Sequence, residues 1–209
     1  MAMLRLVRRA AWGAVGVAAL LTFTLALGWW RVDGPGRRDL SGGVEIKGMP
    51  QIGGSFTLVD HTGRTVTEKS FLGRPALVFF GFTHCPEVCP TTLMEITNRL
   101  KTMGTEADRL QVLFITADPE RDTPDQLALY LQAFDQRIVG LSGTREQINA
   151  AIAAYKVIAR KVALDGGGYN VDHTASVFMI DARGRFAGLI DYHENEAMAL
   201  QKMRRLAGM

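Results

Sequence analysis

Val78-Phe79-Phe80-Gly81-Phe82-Thr83-His84-Cys85-Pro86-Glu87-Val88-Cys89-Pro90-Thr91-Thr92 is the stretch whose reading decides the fold. An apolar run of β-branched and aromatic residues, Pro75 to Phe82, reads as a strand buried on both faces. Behind it come the chain's only two cysteines, four positions apart and each followed by proline. Pro90 suits the first turn of a helix, Leu93, Ile96 and Leu100 recur at helical spacing, and Gly104 ends it after Met103. A buried strand therefore delivers two thiols to a helix start. With Pro90 as the first helical residue, Cys89 is expected to cap that helix and Cys85 to lie in the turn before it.

Outward from this core the chain alternates. Phe56 to Asp60 and Thr65 to Thr67, around His61-Thr62-Gly63-Arg64, read as a short hairpin. Leu110 to Ala117 is a second buried strand. It closes on Asp118-Pro119-Glu120-Arg121-Asp122-Thr123-Pro124, where Thr123 can cap and Pro124 can open a helix carrying Leu127, Leu131 and Phe134. Ile138 to Leu141 is a third strand, and Thr144 with Gln147 signals a capping box for a helix to Ala154. Tyr155 to Val162 and the turn at Gly166-Gly167-Gly168 lead to Val171-Asp172-His173-Thr174. A hairpin over Ser176–Asp181 and Phe186–Asp191 and a helix over 194–206 complete the chain. The order β-α-β-α-β-α, then hairpin and helix, predicts an α/β fold: a central mixed sheet with helices on both faces. A cysteine pair at the end of the first long central strand makes that a thioredoxin-like fold.

The remaining sequence lies ahead of this domain. From Ala10 to Trp30 no residue is charged, a run of 21 positions, and about 20 apolar residues cross a bilayer as a helix. Arg5, Arg8 and Arg9 precede the run, so the N-terminus is expected to stay cytoplasmic. A cleaved signal would have a shorter apolar core and a better cleavage site than Leu25-Ala26-Leu27-Gly28. The expected organisation is a basic cytoplasmic segment at 1–9, a transmembrane anchor at 10–30, a glycine-rich tether at 31–48 and the folded domain at 49–209. The short arginine-bearing start, without room for a transit peptide, favours a bacterial inner membrane with the domain facing the periplasm.

The net charge of +3 is an average over unlike parts. Residues 1–40 hold six arginines and two aspartates, leaving 18 basic and 19 acidic residues beyond. A near-neutral domain offers no electrostatic case for nucleic acid. Two cysteines are too few for a disulfide scaffold, and so short a loop between them would remove little chain entropy if bridged.

That leaves chemistry for the pair. Thiols at a helix N-terminus ionise more readily, and thiolate is both nucleophile and soft-metal ligand. A structural disulfide or two inert buried thiols is the plainer alternative. Ordinary thioredoxin-like oxidoreductases set a cis-proline against their dithiol, ahead of the strand expected at Ser176–Asp181. No proline follows Pro124, and His173-Thr174-Ala175 stands in that neighbourhood. An imidazole facing two thiolates makes an S, S, N site that suits either oxidation state of copper. Zinc is chemically allowed, although a structural zinc site uses four protein ligands. Asp172 could orient the imidazole. Asp118 or Asp122 could stand near the metal, or the loop could touch a client. The plainer alternative has Asp118 ending a strand and Arg121 pairing Asp122 within a turn. His84, His61 and His193 are expected outside the site, and Met94 and Met179 in the core.

Gly81 to Leu93, Asp118 to Pro124 and Val171-Asp172-His173-Thr174-Ala175 together resemble the Sco/SenC family of membrane-anchored, thioredoxin-like copper-binding proteins. The resemblance covers about residues 45–207, and Thr174 stands where serine is common. It implies that Cys85, Cys89 and His173 bind one copper, Cu(I) or Cu(II), per chain. It implies delivery of copper to the dinuclear centre of cytochrome c oxidase subunit II, or reduction of that centre's cysteines. An upstream copper donor and a thiol reductant are the further expected partners.

Three other functions use the same residues. A thiol-disulfide reductase would use Cys85 and Cys89 as its redox-active dithiol, one attacking and one resolving. A copper or redox sensor would look alike in sequence. A peroxidase of the peroxiredoxin kind needs one activated cysteine with a hydroxyl and an arginine, and the paired cysteine and opposed histidine speak against it.

Overall fold

The computed structural model describes residues 51–209, together with Trp12 and residues 20–23, all helical. Most of the expected anchor, and all of the tether and the basic start, lie outside the described residues. Among the described residues no helix is long and apolar enough to cross a membrane. Residues 48–209 form one compact unit.

Nine strands, four α-helices and two short 3-10 helices, Glu68–Phe71 and Gly104–Arg109, make up this unit. Strands β1 (Thr57–Asp60) and β2 (Thr65–Thr67) form the first hairpin. Strand β3 (Ala76–Gly81) leads into helix α1 (Val88–Met103), and β4 (Gln111–Thr116) into α2 (Pro124–Leu131). Then come β5 (Ile138–Ser142), α3 (Arg145–Tyr155), β6 (Ala159–Ala163), β7 (Tyr169–His173), β8 (Val177–Ile180), β9 (Phe186–Ile190) and α4 (Glu196–Ala207). The main sheet runs β2-β1-β5-β4-β3-β8-β9. Its centre, β5-β4-β3, is parallel, and β1 and β8 flank it antiparallel. Mixed pairing with helical cover is the expected thioredoxin-like arrangement.

Alternation along β3 sorts the two layers of the core, since successive side chains of a strand point to opposite faces. Leu77 and Phe79 pack with Leu93, Ile96 and Leu100 of α1, Leu127 of α2 and Met203 of α4. Val78 and Phe80 pack with Ile148, Ala151 and Tyr155 of α3. All six β3 residues are buried, as a strand covered on both faces requires. The helix starts follow their capping chemistry. Thr123 Oγ1 accepts from the Gln126 amide, and Thr144 and Gln147 close a reciprocal box.

Several expectations need correction. Strands β6 and β7 form a separate two-stranded sheet, where the sequence offered only an unassigned stretch and a turn. Helix α1 begins two residues early, with Glu87 at its cap, so Cys89 lies inside the first turn. Phe134 falls beyond the end of α2. Met94 is 42% exposed on the outer side of α1 and is not core, whereas Met179 is buried as expected.

Candidate metal centre

Topology brings the three chemical groups to one end of the sheet. The cysteine loop follows the C-terminal end of β3, and the Asp118 loop follows the C-terminal end of β4; Gly81 and Thr116 are partners in the ladder. Strand β8 runs antiparallel to β3, so the residues leading into it, His173 among them, arrive at the same end. Crevices at the carboxyl ends of parallel strands are the usual sites of function in such sheets.

One ligand atom each from Cys85, Cys89 and His173 lies within 4.8 Å of the other two. Both cysteines are free thiols; Cys89 is fully buried and Cys85 is half-buried. His173 Nε2 stands 3.2 Å from Cys89 Sγ. Its Nδ1 lies 2.9 Å from the Thr174 carbonyl oxygen, which can only accept. In the neutral ring Nδ1 therefore carries the proton, and the Nε2 lone pair faces the sulfurs. Phe79 and Phe82 meet the ring edge-on at 6.0 and 5.8 Å between centroids, fixing its tilt. An ion held at Zn-like bond lengths of about 2.0–2.3 Å needs ligand atoms roughly 3.5–4 Å apart, so this group closes around one with shifts of about an ångström or less.

The two sulfurs are electrically unlike. The Cys89 thiol donates to Cys85, and the Cys89 and Glu87 amides add to this against the opposing effect of burial. Together they bring Cys85 down to about 5 from 9.0. Cys89 is pushed up, first by that same hydrogen bond and then by its burial. The expectation of two thiolates at the helix start is thus corrected for the metal-free state. Adjacent thiols share one proton because two bare anions in contact repel. A bound cation would remove that penalty and take both as thiolates.

The surrounding residues settle several open readings. Asp172 does not orient the ring: it points outward to Arg160 at 3.1 Å. That role falls to Thr174 through its backbone, which no side-chain motif announces. Buried Asp122 does not pair with Arg121. It accepts from the Thr83 amide (3.0 Å), the Thr83 hydroxyl (2.6 Å) and the Thr116 hydroxyl (2.6 Å), anchoring the turn that carries Cys85. Asp118 takes the Arg121 partner that the plainer reading had given to Asp122, and it also accepts from the Tyr169 hydroxyl at 2.8 Å. His84 sits 3.0 Å from the Thr83 hydroxyl and outside the ligand group. His61, outside the site as expected, accepts from the Gly140 amide at 2.9 Å and ties the end of β1 to β5. His193 lies against Tyr192, outside the site.

Comparison with known proteins agrees with this geometry. The sequence pattern described as SCO1/SenC matches residues 44–208. The human mitochondrial protein SCO1 homolog is 41% identical over 149 residues, covering 69% of this chain and 48% of its own length. The chain thus spans about half of that relative. Among solved structures, Bradyrhizobium japonicum ScoI with copper bound is 44% identical with a TM-score of 0.69, covering 74% of this chain and 99% of that one. Yeast Sco1 with copper bound is 34% identical with a TM-score of 0.68, covering 75% and 88%. With the sheet order, the dithiol at the end of β3 and the opposed histidine all in place, the chain belongs to the SCO1/SenC family.

Proposed function

We propose that this protein is a copper carrier that holds one copper ion, Cu(I) or Cu(II), between the Cys85 and Cys89 thiolates and His173 Nε2. The observation that carries the reading is the imidazole set 3.2 Å from the buried sulfur with its other nitrogen hydrogen-bonded to a carbonyl. Two thiolates select Cu(I), and an imidazole accommodates Cu(II) as well. A three-donor site with one half-buried ligand, Cys85, leaves the metal approachable, so it can leave by stepwise exchange with the ligands of a client. The client is the dinuclear copper centre of cytochrome c oxidase subunit II, following the family resemblance. An upstream donor loads the site, and a thiol reductant keeps the cysteines ready. Residues 10–30 anchor the chain in a bacterial inner membrane, and 31–48 tether the domain on the periplasmic side.

A second reading, thiol-disulfide reduction, is favoured by the inequality of the sulfurs. Cys85 thiolate attacks one sulfur of a client disulfide, forming a mixed disulfide and releasing one client thiolate. Cys89 then gives up its proton and attacks the Cys85 sulfur, forming the Cys85–Cys89 disulfide and releasing the second client thiolate. Two electrons pass to the client, and an external thiol restores the dithiol.

Anaerobic copper loading of the reduced full chain, in wild type and His173→Ala, tests the ligand set. One tightly held copper per chain in wild type and at least about tenfold weaker binding in the variant is expected. Equal affinity would remove His173 from the site. Disulfide exchange with a small disulfide should survive in His173→Ala, which separates the two readings.

A further inference from the structure

His173 is carried by an arm that the main sheet does not hold. Strands β6 and β7 bond only to each other. On β7, Tyr169, Val171 and His173 share one face, because strand side chains alternate. Val171 is buried in the core, so that face is the one turned toward the domain. At its far end, four residues from the imidazole, Tyr169 is held from three sides. Its hydroxyl donates to buried Asp118 at 2.8 Å. The Arg121 guanidinium lies 4.0 Å from its ring centroid, and Arg121 Nη1 donates to its carbonyl at 3.2 Å. The Lys161 ammonium of β6 lies 4.4 Å from the same ring and 3.4 Å from Glu120. Arg121 itself is paired with Asp118. Four residues after Asp118, in the same loop, Asp122 holds Thr83 and through it the Cys85 turn.

We infer that the 118–122 loop is a clasp that sets the distance between imidazole and dithiol, with Tyr169, Asp118 and Arg121 as positioning residues that hold the His173 arm shut. This rests on the proposed ligand set and adds what controls it. With the clasp closed, β7 presents Nε2 to the sulfurs. With it open, the arm keeps the packing of Val171 and Ala159, the turn at Thr174 and the ring contacts with Phe79 and Phe82, and the hold on Nε2 loosens. A client that engages Tyr169 or Arg121 would thereby weaken the third ligand at the moment of transfer.

Tyr169→Phe is the test, because it deletes one hydroxyl and keeps the ring under both cations; Asp118→Asn is the second variant. In the full chain, Tyr169→Phe is expected to bind Cu(I) about tenfold more weakly than wild type, the usual scale for loss of an orienting partner. The loss should disappear in the His173→Ala background, which a merely structural effect would not do. In the metal-free reduced protein the His173 ring resonances should broaden or shift in Tyr169→Phe. Wild-type affinity with unchanged ring resonances, or an equal loss with and without His173, overturns the clasp. If His173→Ala alone leaves copper affinity unchanged, the ligand set has failed instead. The metal-free ring resonances then decide the clasp by themselves.

Discussion

Gly81 leaves the space that the Cys89 sulfur fills. A Cβ at residue 81 would stand 2.8 Å from Cys89 Sγ and 2.7 Å from the Phe114 ring, closer than real carbon contacts allow. The glycine that ends the long central strand is therefore a packing requirement of the site. Gly81→Ala is expected to destabilise the domain by about 1–3 kcal/mol, the usual cost of overpacking a close-packed core. It should also weaken copper binding, because the buried sulfur must move. Urea unfolding and copper competition on the same preparation check both; a variant with wild-type values in each would mean that α1 shifts freely against β3.

Cys85 thiolate should be present in the reduced, metal-free protein across the neutral range. Its folded-state value is about 5 against an ordinary 9.0, so alkylation by iodoacetamide should be fast at pH 7 and fall as pH drops through about 5. Cys89, buried and shifted upward, should not react. The sign for stability follows by linkage. Between about 5 and 9.0 the unfolded chain holds one more proton than the native one, so stability attributable to this pair rises with pH. Above that window the native state retains the Cys89 proton while the unfolded chain loses both, and the contribution falls again. Unfolding of wild type and Cys85→Ser across pH 5–10 should therefore diverge as pH rises from about 5 to 9.0 and then run parallel, because the fall above that window comes from Cys89, which both proteins keep.

Much of this site was legible in the sequence because strong local rules marked it. A continuous apolar run, a cysteine pair at a helix start and two threonine caps each point to one structure, and the missing late proline drew attention to His173. What escaped was set by tertiary context. Strand β6, Ala159-Arg160-Lys161-Val162-Ala163, is largely exposed and carries no clean alternation, so nothing in it announced a strand. Met94 is apolar but stands on the outer side of α1. The Thr174 carbonyl that orients His173 is a backbone group, invisible to side-chain motifs. The Tyr169 partner of Asp118 and the Thr83 partner of Asp122 come from 51 and 39 residues away, beyond any local pattern.

Away from the site, Asp60 anchors the β1–β2 turn. Its carboxylate accepts from the Thr62 amide and hydroxyl and from the Arg64 amide and Nε, at 2.6–3.0 Å. Burial works to raise its pKa, but these donors, Thr62 first, hold it at about 2 against 3.8. A depressed carboxylate contributes stability above the unfolded value that is lost as pH falls through the folded one. Asp60→Asn is expected to cost about 1–3 kcal/mol at pH 7. Its deficit relative to wild type should shrink as pH falls from about 4 toward 2. A deficit that stays constant over that range would show that Asp60 acts by shape and not by charge.

Asp122 is the residue on which the Cys85 turn depends most. Its fully buried carboxylate takes both donors of Thr83 and the hydroxyl of Thr116, and its carbonyl accepts from Ser142 on β5 at 2.6 Å. The loop after β4 is thereby tied to the turn after β3 and to the end of β5. Asp122→Ala would strand the half-buried Thr83 amide and free two hydroxyls, at a cost of about 1–3 kcal/mol for each donor left truly unpaired. A total near 3 kcal/mol in urea unfolding is the expected outcome. Because Thr83 lies two residues before Cys85, the turn should also loosen enough to disturb the hydrogen bonds that hold Cys85 ionised. The alkylation midpoint of Cys85 should then climb from about 5 toward 9.0. Asp122→Asn should keep much of the stability, since its carbonyl oxygen still accepts, while replacing a charge-assisted acceptor with a weaker one. If Asp122→Ala loses stability but leaves the Cys85 midpoint near 5, then Thr83 only closes the sheet end, and the thiolate is held by α1 and Cys89 alone.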